Sequence, residues 1–181
     1  MTTFTASSAG KALNDLALGL SDRRVPNKQL SVQLEGFVLN NFDQEGALRG
    51  GWEPLKPSTI LARLRKSPAG KRAKGLAGAL AKAGRKSADI AATTGAGLVK
   101  ILQDTGAMRQ SFAAFSDNDV AGVGARSGAQ HAELTAIHEY GDPSRNIPAR
   151  PMLPTQEQGL QMAYDVYENF VQQQMKKAAL A

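Results

Sequence analysis

The tightest constraint on this chain lies in its middle. Between Lys66 and Gly97, alanine, glycine and lysine dominate, and Leu76, Leu80 and Ile90 are the only large apolar residues. Such a stretch buries too little apolar surface to offset the entropy lost on ordering it. Residues 66–97 therefore predict a mobile basic Ala/Gly-rich loop or insertion, with at most a weak alanine-rich helix from Leu76 to Ala92 that orders on a partner. The core must come from the flanks: an N-terminal helical part at 8–45, and a C-terminal part at 98–181. At 181 residues, 42% of them hydrophobic, these flanks are enough for a single domain spanning 1–181.

The first flank reads as two helices. Leu13, Leu16, Ala17 and Leu20 recur at the spacing of one helical face within residues 8–22. Asp22 to Pro26 breaks that run, since proline and the residue before it resist helical continuation. Leu30, Leu34, Phe37, Val38 and Phe42 then stripe a second helix from about Lys28 to Phe42. Gly46, Gly50 and Gly51 mark a flexible turn. Trp52, between glycines and prolines, is expected to anchor a loop on the core. A short third helix with Ser58 as N-cap carries Ile60, Leu61 and Leu64.

The second flank mixes periods. Val99 to Leu102 is β-prone, and Asp104-Thr105-Gly106 reads as a tight turn before a strand that begins near Arg109. Ala107 to Arg109 forms one helical turn at most. Ser111 to Phe115 and Val120 to Val123 form a hairpin across Asp117-Asn118-Asp119. Ala129 to Tyr140 predicts a helix closed by Gly141. Asn146 to Leu153 is extended, because its prolines donate nothing to a ladder. A terminal helix starts at Thr155, whose spacing to Gln158 is that of a capping box. Its stripe is Leu160, Tyr164, Tyr167 and Val171, with Ala163 and Phe170 beside it. The fold class is α+β, a small antiparallel sheet packed with N-terminal helices and a long C-terminal helix.

Charge is concentrated. Arg49 to Lys86 holds eleven basic residues against one acid, Glu53, whereas the whole chain carries +6. Arg63, Arg65, Lys66, Lys71, Arg72, Lys74, Lys82, Arg85 and Lys86 are candidate contacts to an acidic protein surface or to DNA phosphates. The alternative is an ordinary solvated loop. The stretch has no interleaved aromatics for stacking on single strands, and no helix-turn-helix or zinc-finger spacing accompanies it. Any DNA contact would therefore ignore sequence.

Catalytic constellations are absent from the sequence. The chain has no cysteine, so disulfides and thiolate chemistry are excluded. No nucleophile elbow, phosphate-binding loop or dinucleotide fingerprint occurs. His131 and His138 would share a helical face, but a metal needs three or four ligands, so ordinary surface or core histidines are expected. No catalytic residue, metal, cofactor or small-molecule substrate is expected. No apolar stretch approaches the roughly 20 residues of a membrane span, and Met1 to Gly10 lacks the pattern of a secretory leader. The expectation is a cytoplasmic product that does not contact membranes.

Three segments form a pattern in order: Gly51-Trp52-Glu53-Pro54-Leu55 with Thr59; Ile101-Leu102-Gln103-Asp104-Thr105-Gly106-Ala107-Met108-Arg109-Gln110-Ser111; and Ile137-His138-Glu139-Tyr140-Gly141 followed by Ile147-Pro148-Ala149-Arg150-Pro151-Met152-Leu153. With the Val120 to Gly124 strand end between them, they resemble the phage virion morphogenesis family of Mu-like phages and related tail-completion proteins. Met108 and Met152 stand where that pattern commonly has leucine and phenylalanine, and the stretch between Thr59 and Ile101 has no counterpart in it.

The resemblance implies a structural virion protein of a tailed bacteriophage. It would act in tail completion or head–tail joining, as a neck component in a closed ring of about six or twelve subunits with other neck and tail proteins. It would be assembled in the host cytoplasm and located at the head–tail interface of the virion. Trp52, Pro54, Leu55, Thr59, Thr105, Gly106, Arg109, Ser111, Gly141, Pro148, Arg150 and Pro151 carry over as scaffold positions. Arg150 would pair with a carboxylate, on a neighbouring subunit or within its own chain. The alternative function is a sequence-independent DNA-binding phage assembly protein.

Overall fold

The first helix ends where the sequence requires, but its partner begins earlier than the prolines suggest. In the computed structural model, which describes residues 6–66, 99–126 and 129–178, α1 spans Ala6–Ser21 and α2 spans Arg24–Asp43. Pro26 sits in the first turn of α2, not ahead of it. A first-turn amide has no intrahelical acceptor, so proline there forfeits nothing. The Asp22 carboxylate accepts from the Arg24 amide and side chain, which holds its pKa down at about 2.

Among the described residues there follow a short 3-10 turn at Ala47–Arg49, α3 at Pro57–Lys66, α4 at Ala107–Ser111, β1 at Phe112–Ser116, β2 at Ala121–Ala125, α5 at Ala129–Tyr140, a 3-10 turn at Pro143–Arg145, and α6 at Gln156–Lys177. The two strands form one antiparallel sheet, and the fold is α+β. The basic stretch from residue 67 to 97, with the helix expected from Leu76 to Ala92, lies outside the described residues. No described helix is long and apolar enough to cross a membrane.

The chain divides into two compact units. The first gathers Met1–Val38, Phe112–Gly124 and Leu153–Ala181; the second gathers Leu39–Ser111 and Ala125–Met152.

The first unit holds α1, most of α2, α6 and the hairpin. α1 packs on α6, and the buried residues are Ala12, Leu30, Val38, Phe112, Val166, Phe170 and Ala178. A Cβ at Gly19 would lie 2.6 Å from Gln174 Oε1, so a side chain there would push the flexible Gln174 amide aside. Two of the expected stripes are rotated. Leu13 is 59% exposed and Ala12 is buried instead; on α6, Leu160 and Tyr164 are both 62% exposed while Val166 faces the core. Each helix carries apolar residues on two adjacent faces, and the packing partner chooses between them.

The hairpin turns through Asp117, whose carboxylate accepts from the amides of Asp119 and Val120 at 2.7 and 2.8 Å. This side-chain turn is the reason aspartate is favoured there, and the two amides hold its pKa below the usual carboxylate range. The Asn27 amide group, 3% exposed, donates to Asp117 O at 2.9 Å, and Tyr167 Oη donates to Asn27 Oδ1 at 2.5 Å. That buried relay ties the hairpin to α2 and α6. Arg23 adds an exposed ion pair to Asp119.

Three local expectations are corrected in the second unit. Val99 to Leu102 is not a strand: Ile101 and Leu102 form a turn with Leu102 at φ +58°, although both side chains are buried as β-prone residues often are. No strand begins near Arg109, because α4 intervenes and β1 starts at Phe112. Ser58 is not an N-cap. Pro57 opens α3, and the Lys56 carbonyl accepts the first helical bonds from Thr59 and Ile60. Proline at the first position is pre-set for a helix.

The remaining elements agree with the sequence reading. The hairpin sits within a residue or two of its expected place, α5 spans its expected range, and Thr155 with Gln158 forms a complete capping box at the start of α6.

Candidate functional site

The second unit is organised around one tryptophan. Gly46, Gly50 and Gly51 all have φ near +90°, a region open to glycine at little cost, and they reverse the chain after α2. The reversal is closed by Gly51 N donating to Gly46 O and Trp52 N donating to Glu45 O. Trp52 thereby lands edge-on against Phe42, ring centres 5.3 Å apart. At Gly46 a Cβ would lie 2.3 Å from the indole, so glycine is needed there for space as well.

The indole Nε1–H donates to Pro151 O at 2.9 Å. Asn41, fully buried, donates through Nδ2 to the same carbonyl at 3.1 Å and to Met152 O at 3.2 Å. Glu139 receives the Met152 amide at 2.6 Å. In return, Arg150 donates through Nε and Nη2 to Glu53 O at 3.3 and 3.2 Å. The first and third sequence segments, almost a hundred residues apart, are thus laced together backbone to side chain in both directions.

The second segment braces this clamp. Ile101 N donates to Glu45 Oε1, and Gln103 Nε2 donates to Phe42 O at 2.7 Å. Thr105 Oγ1 accepts from Ala107 N, Gly106 adopts φ +73° before α4, and Ser111 Oγ donates to Met108 O. Arg109 pairs with Asp43 at 2.9 Å. Of these four motif residues Arg109 reaches the end of α2, and the other three shape the turn and α4 locally.

A groove of about 670 Å³ opens between the loop at residues 53–56, α3, the end of α5 and the extended arm at 147–150. Pro54, Leu55 and Thr59 form one wall; Gly141 and Pro148 belong to the other. Gly141 has φ +78°, and a Cβ there would sit 2.8 Å from the Ala149 amide, so the helix end and the arm meet only through glycine. Among the described residues the cations lining the groove are Lys56, Arg63 and Arg150, and the lining carboxylate is Glu53. Arg63 donates to Lys100 O at 3.0 Å and stands 3.7 Å from Asp104.

Arg150 is only 7% exposed. Its bonds go to a neutral carbonyl, and among the described residues no carboxylate lies within ion-pairing distance of it. The intrachain carboxylate expected for it is therefore not found among the described residues. Burial lowers its pKa, with the charge of Glu53 opposing and that of Arg63 adding to the fall. His138, also lining the groove, has its pKa lowered by burial and then by Arg150 and Arg63, so its imidazole is neutral at neutral pH. Its Nδ1 is buried without a hydrogen-bond partner.

Of the basic candidates, only Arg63 is placed in this groove. The side chains of Arg65 and Lys66, and all of Lys71, Arg72, Lys74, Lys82, Arg85 and Lys86, lie outside the described residues, as does the side chain of His131. Asn41 and Lys56 belong to no motif. Asn41 was legible in principle: it occupies an apolar slot of the α2 stripe, and a polar group in such a slot must find partners. Among the described residues no three His, Asp or Glu side chains gather as a metal site. The chain matches no protein-family model, no curated protein and no solved structure at a significant level.

Proposed function

We propose that this chain is a structural protein of a tailed bacteriophage virion, acting in tail completion or head–tail joining as a ring-forming component of the neck. The observation that carries the reading is the two-way lacing of the first and third segments, Trp52 to Pro151 and Arg150 to Glu53. These are the segments that resemble phage virion morphogenesis proteins. Their polar groups are spent on fixing backbone, as a scaffold requires, and the clamp stiffens an extended arm that then loses little entropy on meeting a neighbour. A ring needs a heterologous interface, one surface of each subunit engaging a different surface of the next. The clamped arm and its groove supply one such surface.

The second reading is a sequence-independent DNA-binding assembly protein, favoured by the basic excess from Arg49 to Lys86. The test is the mass of the purified protein in solution, alone and with purified heads or tails of the phage that encodes it. Ring formation or co-sedimentation with particles is the expected result. A persistent monomer that ignores both particles, and binds duplex DNA with an affinity falling steeply as salt rises, would replace the neck reading with the DNA-binding one.

A further inference from the structure

The groove of the second unit is electrostatically incomplete. Among the described residues its recessed cation, Arg150, bonds to a peptide carbonyl and to no carboxylate, and Arg63 beside it holds Asp104 at the long distance of 3.7 Å. A guanidinium taken out of water and given no carboxylate is costly, because a neutral acceptor recovers only part of the lost hydration. Lys56, exposed at the mouth, adds a third positive charge, against the one carboxylate, Glu53, that lines the groove among the described residues.

We propose that this groove is a docking site for an acidic protein segment, which inserts an aspartate or glutamate carboxylate beside Arg150 and Arg63 and lays an adjacent apolar residue against Tyr140. Guanidinium groups match carboxylates in geometry and form charge-assisted bonds about twice as strong as neutral ones. The recess selects against duplex DNA. Phosphates on a rigid duplex meet protruding side chains, whereas Arg150 is 7% exposed and the Arg63 side chain 20%. A single carboxylate on a flexible stem reaches such groups. Tyr140, 81% exposed on the rim, offers the kind of aromatic surface that dominates protein interfaces.

The identity of the partner as another virion protein rests on the neck reading; the binding itself does not. The test uses the full chain and an end-blocked peptide of alternating glutamate and leucine, titrated by calorimetry at low salt, with the glutamine version as control. The glutamate peptide is expected to bind, and the control to bind at least about tenfold more weakly. Arg63→Gln should lower affinity about tenfold. Because that change also frees Asp104, the exposed Lys56→Glu serves as the second variant and should weaken binding without touching the fold.

Equal binding of the two peptides, binding by neither, or a short DNA duplex that binds in their place and is lost with both variants would overturn the assignment. Failure of the peptide to bind a protein that still sediments with virions removes the groove assignment and leaves the neck reading. Variant-sensitive peptide binding by a protein that joins no particle supports the groove assignment and removes the neck reading.

Discussion

Two donors converge on one carbonyl at Pro151, and this makes the clamp's energetics non-additive in a calculable way. Trp52→Phe keeps an aromatic ring against Phe42 but deletes the indole donor. Pro151 O then still has Asn41 Nδ2 at 3.1 Å. The cost is one net hydrogen bond, about 1 kcal/mol, plus about 1 kcal/mol for the void left by the smaller ring. Asn41→Leu removes the other donor, and Pro151 O keeps the indole at 2.9 Å. Met152 O loses its bond, at about 1–3 kcal/mol, but the buried Asn41 Oδ1, which has no partner in the fold, is deleted too, returning about 1 kcal/mol. The net single cost is about 1 kcal/mol.

In the double variant Pro151 O has neither donor. Pro151 is half-buried, so the penalty for the orphaned carbonyl falls in the lower part of its range, about 1–2 kcal/mol beyond the sum of the singles. Urea denaturation followed by far-UV circular dichroism on the four proteins of the cycle measures it. A double-variant cost equal to the sum within about 0.5 kcal/mol would refute the shared-carbonyl reasoning.

Three further outcomes follow from other contacts. Gly141→Ala drives a Cβ to 2.8 Å from the Ala149 amide at φ +78°, and should cost about 2 kcal/mol or more in the same denaturation assay. Thr155→Ala removes the capping box of α6 and should cost about 1 kcal/mol, while Thr155→Ser should restore most of it. The Asp142 carboxylate, bonded to Ser144 and Arg145, has its pKa lowered from 3.8 to about 2. Its contribution is therefore complete above pH 3.8 and lost as pH falls through about 2. The amide shifts of Ser144 and Arg145 should titrate in that window and lose the step in Asp142→Asn.

Much of the local structure was legible because local chemistry determines it. Thr155 and Gln158, and Asp117 in its turn, satisfy backbone groups within a few residues, and Gly141 closes α5 at positive φ, so spacing alone finds them. The buried faces of α1 and α6 were not legible. Leu160 and Val166 both sit at helical spacing from other apolar residues, and only tertiary packing selects Val166 for burial. Val99 to Leu102 misled for a related reason: β-branched and aliphatic residues indicate burial as much as extension, and Ile101 is buried in a turn because Glu45 takes its amide. Trp52 anchors its loop as its setting between glycines and prolines suggested, but the partner of Arg150 within the chain was not legible. Arg150 looked like half of an ion pair, whereas its bonds are to a carbonyl 97 residues away in sequence.

Trp52 is the only tryptophan in the chain, and it has a spectroscopic consequence. Excited at the red edge of its absorption, where tyrosine does not contribute, the protein emits from one ring in one unit. That ring is 6% exposed and bonded to a carbonyl, so its emission should be blue-shifted while the clamp is closed and move to the red when the clamp opens. The chain therefore carries its own optical reporter for the arm at 147–153, and stopped-flow mixing with a candidate partner can follow that arm without any added label.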